Sequence, residues 1–219
     1  DEAKFPVGQR VAAFFRDGIT VLALNTAAMR WAASPLLPRR LLADGSNWAL
    51  VVEDLARNSP KAFKNWLRHV REVLPAVATV RVVERDEDRH LYVKVRYKDD
   101  LELPSWRLSD GTLRILTLTL LAFLPSNGGI YLIEEPENGV HPQAMEALFD
   151  TFRTPFDAQI LLASHSPILL TAAPPDALLC FHKRGGTTQI VPGSDHPVLK
   201  NWRRDVPIEL LFASGLLGG

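Results

Sequence analysis

The stretch IYLIEEPENGVHP, Ile130 to Pro142, constrains the fold of this chain more than any other: an apolar run stops on two adjacent carboxylates and the chain then turns sharply. Ile130, Tyr131, Leu132 and Ile133 form a short continuous apolar segment, which predicts a strand buried on both faces, as in a parallel sheet. Glu134 and Glu135 follow at once. Acids at the carboxyl end of such a strand fall in the crevice where open α/β sheets bind their ligands. The expected architecture is therefore α/β, with chemistry at this edge of the sheet.

The segments on either side fit that expectation. After the turn Pro136 to Gly139 come His141-Pro142 and a helix to about Phe152, then a second apolar strand from Gln159 to Ser164 that stops on His165. Ser166-Pro167 opens a further helix, because proline suits the first helical position. In a doubly wound sheet neighbouring strand ends fall side by side, so Glu135 and His165 are expected within reach of one ligand. Upstream, Ser109, Asp110, Gly111 and Thr112 form a polar turn before a long apolar helix from Leu113 to Leu124, capped by Ser109 or Asp110. Free N–H groups and the positive end of the helix dipole make such a start an anion site. Any capped helix shares that property, so the turn alone assigns nothing.

Three regions follow from the change of periodicity along the chain. Residues 1–75 read as mainly helical. Val11 to Phe15 is a short helix, Ile19 to Leu24 a strand, and Ser46 or Asn47 caps a helix from Trp48 to Ala56. Ser59-Pro60 starts another helix, running to Leu74. Phe63, Leu67, Val70 and Leu74 mark its buried face, and Lys61, Lys64, Arg68 and Arg71 a solvated one. Residues 76–104 alternate apolar and polar side chains over Thr79 to Val83 and Leu91 to Tyr97, a hairpin with a third strand near Leu101 to Leu103. Arg81, Lys94 and Arg96 there are expected to face solvent. Residues 105–219 carry the motifs above and close with a hairpin around Gly185-Gly186 and a helix from Ile208 to Leu217 with a glycine-rich end.

Composition excludes several classes. With 25 basic and 25 acidic residues there is no global field to steer the chain toward nucleic acid. No apolar run is long enough for a membrane helix, and the start lacks the basic-then-apolar order of a secretory signal, so the expected location is cytoplasmic, away from any membrane. The single cysteine, Cys180, sits in an apolar run and reads as a buried structural thiol. His182, Lys183 and His196 have no partners at metal-binding or catalytic spacing and are expected on the surface.

Taken together, four ordered motifs resemble the ATP-binding-cassette ATPase superfamily. LSDGTLR is similar to its signature motif, IYLIEE to its Walker B strand, PENGVHP to its D-loop, and LLASHSP to its last catalytic strand and switch histidine. The EPENGVHP and SHSP forms are closer to the soluble RecF-like and OLD-like AAA-type ATPases of bacteria than to transporter cassettes. DGSNWALVVEDLARNSP, the strand pair before the signature and the closing segment also resemble that group, so the likeness covers nearly the whole chain. It implies ATP and Mg2+ as ligands and the following roles. Glu135 is the general base or water-orienting group, Glu134 helps to hold the metal through a coordinated water, and His165 bonds the γ-phosphate and the attacking water. Ser109, Asp110, Gly111 and Thr112 present the signature to a nucleotide bound by a second subunit, and Asn138 and His141 line that dimer interface.

Two departures qualify the resemblance. Glu134 stands where the family usually has aspartate, one methylene shorter. No GxxxxGK[ST] loop occurs, and the resemblance places that loop in a preceding lobe, so the chain is expected to be the carboxy-terminal part of a larger ATPase and inactive alone. The alternative is a regulatory or scaffold module that completes a partner's ATP site. Relatives act in DNA repair and anti-phage defence, which implies DNA, or an effector nuclease or toxin, as further partners.

Overall fold

The computed structural model describes residues 5–125, 129–153, 158–200, 202 and 207–217. The chain divides into two units, Asp1–Ser164 and His165–Gly219. The first unit begins with α1 (Pro6–Asp17), β1 (Ile19–Leu22), α2 (Thr26–Met29), α3 (Trp48–Asn58) and α4 (Pro60–Val73). It continues through β2 (Val77–Glu84), β3 (Leu91–Tyr97) and β4 (Glu102–Pro104) to α5 (Asp110–Leu120), β5 (Gly129–Glu134), α6 (Pro142–Arg153) and β6 (Ala158–Ala163). The second unit holds α7 (Pro167–Ala172), β7 (Leu179–Arg184), β8 (Thr187–Pro192) and α8 (Ile208–Ala213).

Strands β1, β5 and β6 form a parallel sheet in the order β1-β5-β6, flanked by helices. Leu22, Ile133 and Leu162 stand side by side in register, and Leu22 and Ile133 are fully covered. Strand residues alternate faces. Accordingly Val21 and Leu161, of the opposite parity and flanking Leu132, remain 47% and 40% exposed. Burial of the Ile130–Ile133 strand is thus one-sided at Ile133, and the Gln159–Ser164 strand alternates instead of being buried throughout. The reason is sheet width: β6 pairs with one neighbour among the described residues, and the face bearing Val21 and Leu161 is incompletely covered.

Helix α5 is the central rod of the first unit. Leu113, Ile115, Leu116, Thr117, Leu118, Thr119 and Leu120 are all buried, the all-round burial of an interior helix. It stops at Leu120, and Leu121–Phe123 continue as a tighter 3-10 turn rather than as α-helix to Leu124. Two of its threonines sit in the core. Thr119 is accommodated because its hydroxyl donates to the Ile115 carbonyl at 2.7 Å and accepts from the Trp66 indole N–H at 3.1 Å. That bond turns α4 so that Trp66, Val70 and Val73 are buried while Phe63, Leu67 and Leu74 are half-covered, a rotation from the expected face driven by the largest side chain. Lys61, Lys64, Arg68 and Arg71 are exposed as expected.

The hairpin and third strand form a separate antiparallel sheet, β2-β3-β4. On its outer side Glu102 takes Arg81 in a two-pronged bond, 2.6 and 3.1 Å, and Lys94 at 3.3 Å. These basic residues answer an acid of their own sheet.

Asn47 departs from its expected role. It makes no side-chain cap to α3. Its amide is fully buried, donating to the Pro38 and Arg40 carbonyls at 2.7 Å each and accepting from the Leu42 N–H at 2.9 Å. It clasps the proline-broken loop onto the helix start, where Trp48 is also anchored by its indole N–H to the Met29 carbonyl.

In the second unit Gly185 and Gly186, at φ +56° and +82°, make the two-residue turn between β7 and β8. Cys180, Leu199, Ile208, Leu211 and Leu217 form its core, and burial raises the Cys180 thiol above its ordinary range. His182 is half-buried beside Gln189, but His196 is only 8% exposed, contrary to the surface placement expected. Its Nδ1 accepts from the Val198 N–H at 3.4 Å. Residues 218 and 219, the glycine-rich end, lie outside the described residues. No described helix is long and apolar enough to cross a membrane.

Replacing Asn47 with alanine strands two carbonyls and one N–H. Chemical denaturation is expected to show a loss of about 3 kcal/mol. Asn47→Asp, which keeps the acceptor and loses both donors, is also expected to be destabilised.

Candidate functional site

Ser109 is the N-cap of α5. Its Oγ accepts from the Thr112 N–H at 3.1 Å and lies 2.8 Å from Thr112 Oγ1, so the serine orders the first turn. Asp110 reaches sideways to Arg30, at 2.7 Å. The Arg30 guanidinium, followed by the Thr26 hydroxyl, holds the Asp110 carboxyl below the usual carboxylate range, against a smaller opposing effect of burial. Arg30 also donates to the Thr26 carbonyl at 3.0 Å and to the Leu108 carbonyl at 2.9 Å. From the far end of β3, Tyr97 approaches Thr112. Burial raises its phenol above the ordinary range, and a hydrogen bond with Thr112 pulls the other way.

Gly111 joins this loop to the turn after β5. It is buried, and a Cβ built on it would lie 2.5 Å from the Gly139 carbonyl oxygen, closer than real Cβ contacts come. Only a residue without a side chain allows that approach. The polar turn and the PENGVHP turn therefore pack backbone to backbone.

The carboxylates sit on that second turn. Glu135 adopts φ +44°, a left-handed conformation uncommon for a residue with a side chain. It reverses the chain directly after the strand. Its N–H still donates to the Ala163 carbonyl at 2.8 Å, which keeps the turn docked on β6. The Asn138 N–H returns to the Glu135 carbonyl at 3.0 Å, and the Val140 N–H to that of Glu137 at 2.9 Å. Ser164 donates to Glu137 Oε1 at 2.7 Å, a further tie between the turn and the end of β6. Glu134, Glu135, Asn138 and His141 are all exposed, and His141 Nδ1 accepts from the Gln143 N–H at 3.3 Å at the start of α6. His165 opens the second unit, exposed, its ring 6.3 Å from that of Phe212.

Within the first unit, then, Ser109 to Thr112 and Glu135 to His141 are brought together by the Gly111–Gly139 contact. Arg30 joins the site unannounced by any motif, and Glu137 and Ser164, though inside the PENGVHP and LLASHSP stretches, had no role expected of them. No group of three or more His, Cys, Asp or Glu side chains among the described residues forms a metal cage. Mg2+ does not require one, since it is commonly held by one or two carboxylates together with phosphates and waters. The exposed hard-oxygen pair Glu134 and Glu135 fits that donor set.

A sequence profile described as "AAA domain, putative AbiEii toxin, Type IV TA system" matches residues 39–171. No curated protein matches the chain. Among solved structures, the Smc head bound to the C-winged helix domain of ScpA is similar with a TM-score of 0.55 and 14% identity, over 80% of this chain and 55% of that one. This chain thus spans about half the length of that head. A chain from a study of ATP-driven dimerization and DNA stimulated activation of SMC ATPases is similar with a TM-score of 0.50 and 12% identity, over 64% of this chain and 88% of that one. At these identities the likeness is one of fold: the mixed α/β architecture is that of an SMC-type ATPase head.

Gly111→Ala is expected to force the two turns apart, lowering stability by about 2 kcal/mol and shifting the amide resonances of Gly139 and Val140. The Asp110 pair has its own pH signature. Because the folded carboxyl is held down, its stabilising contribution is present above the ordinary carboxylate pKa and is lost as pH falls through the depressed folded value. Side-chain NMR of Asp110 during an acid titration reads this directly.

Proposed function

Because this chain belongs to the AAA-domain family of that description, we propose that it is the signature, Walker B and D-loop part of a RecF-like or OLD-like ATPase that works as a nucleotide-dependent dimer. The observation that supports this most is the seating of Gly111 on the Gly139 carbonyl, which makes one surface of the signature loop and the carboxylate-bearing turn. In this reading Glu135, at the left-handed turn that ends the strand, orients or deprotonates the attacking water. Glu134 would help to hold Mg2+, and His165 would meet the γ-phosphate. Ser109 and the Gly111 N–H meet the γ-phosphate of a nucleotide bound by the second subunit, with Asn138 and His141 at the interface. A bound Mg2+ supplies neutralisation of phosphate charge, while this chain's residues position the water and close the site.

What turnover drives has two readings. The family description names a putative toxin and a TA system, which supports a setting in which the nucleotide state gates an effector toxin or nuclease. The alternative is direct action on DNA, as in repair, with the exposed Lys61, Lys64 and Arg68 of α4 as phosphate contacts. The location proposed for either is the cytoplasm.

In the intact ATPase, Glu135→Gln is expected to slow hydrolysis by about 100- to 10,000-fold while ATP-dependent dimers persist in size-exclusion chromatography. Loss of the dimer along with turnover would count against the assigned role. Titrating duplex DNA at several salt concentrations, with and without ATP, separates the two settings. A steep salt dependence supports contact with DNA, and absence of binding in both states leaves the effector-gating reading.

A further inference from the structure

Arg30 belongs to no motif, yet its guanidinium makes two directed contacts to the signature loop. Its guanidinium donates to the Leu108 carbonyl just before the cap and reaches the Asp110 carboxylate just after it, at 2.9 and 2.7 Å, so it spans Ser109 from both sides. A third bond, to the Thr26 carbonyl at 3.0 Å, ties the same group to its own short helix. The Arg30 carbonyl in turn accepts from Ser105 Oγ at 3.1 Å, so the backbone of this residue holds the approach to the loop as well. Arg30 is well placed to bear load, because α2 is fastened at its start: Asn25 Oδ1 accepts from the Ala28 N–H, and the Asn25 N–H donates to the Asp44 carbonyl. Helix α2 follows β1, which lies beside β5 in the sheet.

We infer that Arg30 is a positioning residue for the signature loop, a planar clamp that fixes the Leu108–Asp110 backbone so that the Ser109 hydroxyl and the Gly111 N–H face a nucleotide in the arrangement they need on binding. The inference rests on the reading of Ser109 and Gly111 given above. Arginine suits this task because its fork offers several donors in fixed geometry, with one arm to a carbonyl and another to a carboxylate, whereas lysine presents a single point of attachment. Arg30 acts through Asp110 and Leu108. Its side chain is 29% exposed and makes three such bonds, two of them to the loop.

The test compares Arg30→Ala, Arg30→Lys, Asp110→Asn and the Arg30→Ala/Asp110→Asn double variant. The first readout needs no nucleotide: NMR of this chain follows the Ser109–Thr112 amides and the Asp110 carboxyl through an acid titration. With Arg30→Ala the Asp110 midpoint is expected to rise toward the ordinary carboxylate value, less a residual contribution from Thr26 and Arg114, and the Ser109–Thr112 amides to shift. Arg30→Lys is expected to restore the titration partly and the amide positions poorly. The second readout is ATP-dependent association of the intact ATPase. Arg30→Ala is expected to weaken it about tenfold, and the double variant to be no worse than the single one, as for a pair acting as a unit. Unchanged loop amides and an unchanged Asp110 titration in Arg30→Ala overturn the clamp. So does an additive double variant, or full rescue by lysine in both readouts. If the unaltered protein fails to associate with ATP, the nucleotide reading falls, and the clamp stands or falls on the NMR readout alone.

Discussion

The amino end of α5 meets the turn after β5 at a contact that leaves no room for a side chain. Gly111 lies against the Gly139 carbonyl, and Gly139 itself takes a left-handed conformation that brings that carbonyl forward. Much else at this edge depends on this approach. It sets how far α5 advances toward the sheet, and α5 supplies the longest buried run in the chain. The same contact carries the polar loop Ser109–Thr112 to within backbone distance of the turn that bears Glu135 and Asn138.

Around that contact the structure spends its polar groups on holding loops, not on ion pairs for their own sake. Arg30 holds the Leu108–Asp110 loop from α2, and Ser109 caps the helix and engages Thr112. Ser164 and the Ala163 carbonyl hold the carboxylate turn against β6. Asn47 fastens a proline-broken loop in the core. The polar groups of Arg30, Ala163 and Asn47 satisfy groups of irregular backbone that would otherwise be left unpaired. The two glutamates at the end of β5 remain exposed and available to solvent. A rigid frame around exposed acids is what a site needs to position water or a metal without reorganising.

Similarity in fold to SMC heads accounts for the parallel sheet and the helices that flank it, and membership of the AAA-domain family covers residues 39–171. Neither accounts for the antiparallel β2-β3-β4 sheet as a charged surface. There Arg81 and Lys94 converge on Glu102, so the positive charge of that face is partly offset. The exposed lysines and Arg68 of α4 are the more open basic feature.

Local pattern was enough to read much of this chain. Apolar runs ending in turn residues located β5 and β6, alternation located β2 and β3, and Ser-Pro pairs located the starts of α4 and α7, because each depends on backbone preferences within a few residues. The order of the motifs identified the candidate edge. What local pattern could not carry was any choice made between distant segments. Trp66 turned α4 because its indole finds Thr119, 53 residues away. Asn47 looked like a cap and became a clasp because the loop before it folded back. His196 looked like a surface residue and is buried. One face of β6 stayed open because strand burial is decided by what packs on the sheet, not by the strand's own residues. Arg30 carries no sequence signal, since its meaning lies in a loop 78 positions on. The residues able to do chemistry were legible in the sequence because reactivity is a property of side chains. Which of them meet, and what holds them, was decided only by tertiary packing, because that is set by contacts between segments that no local preference encodes.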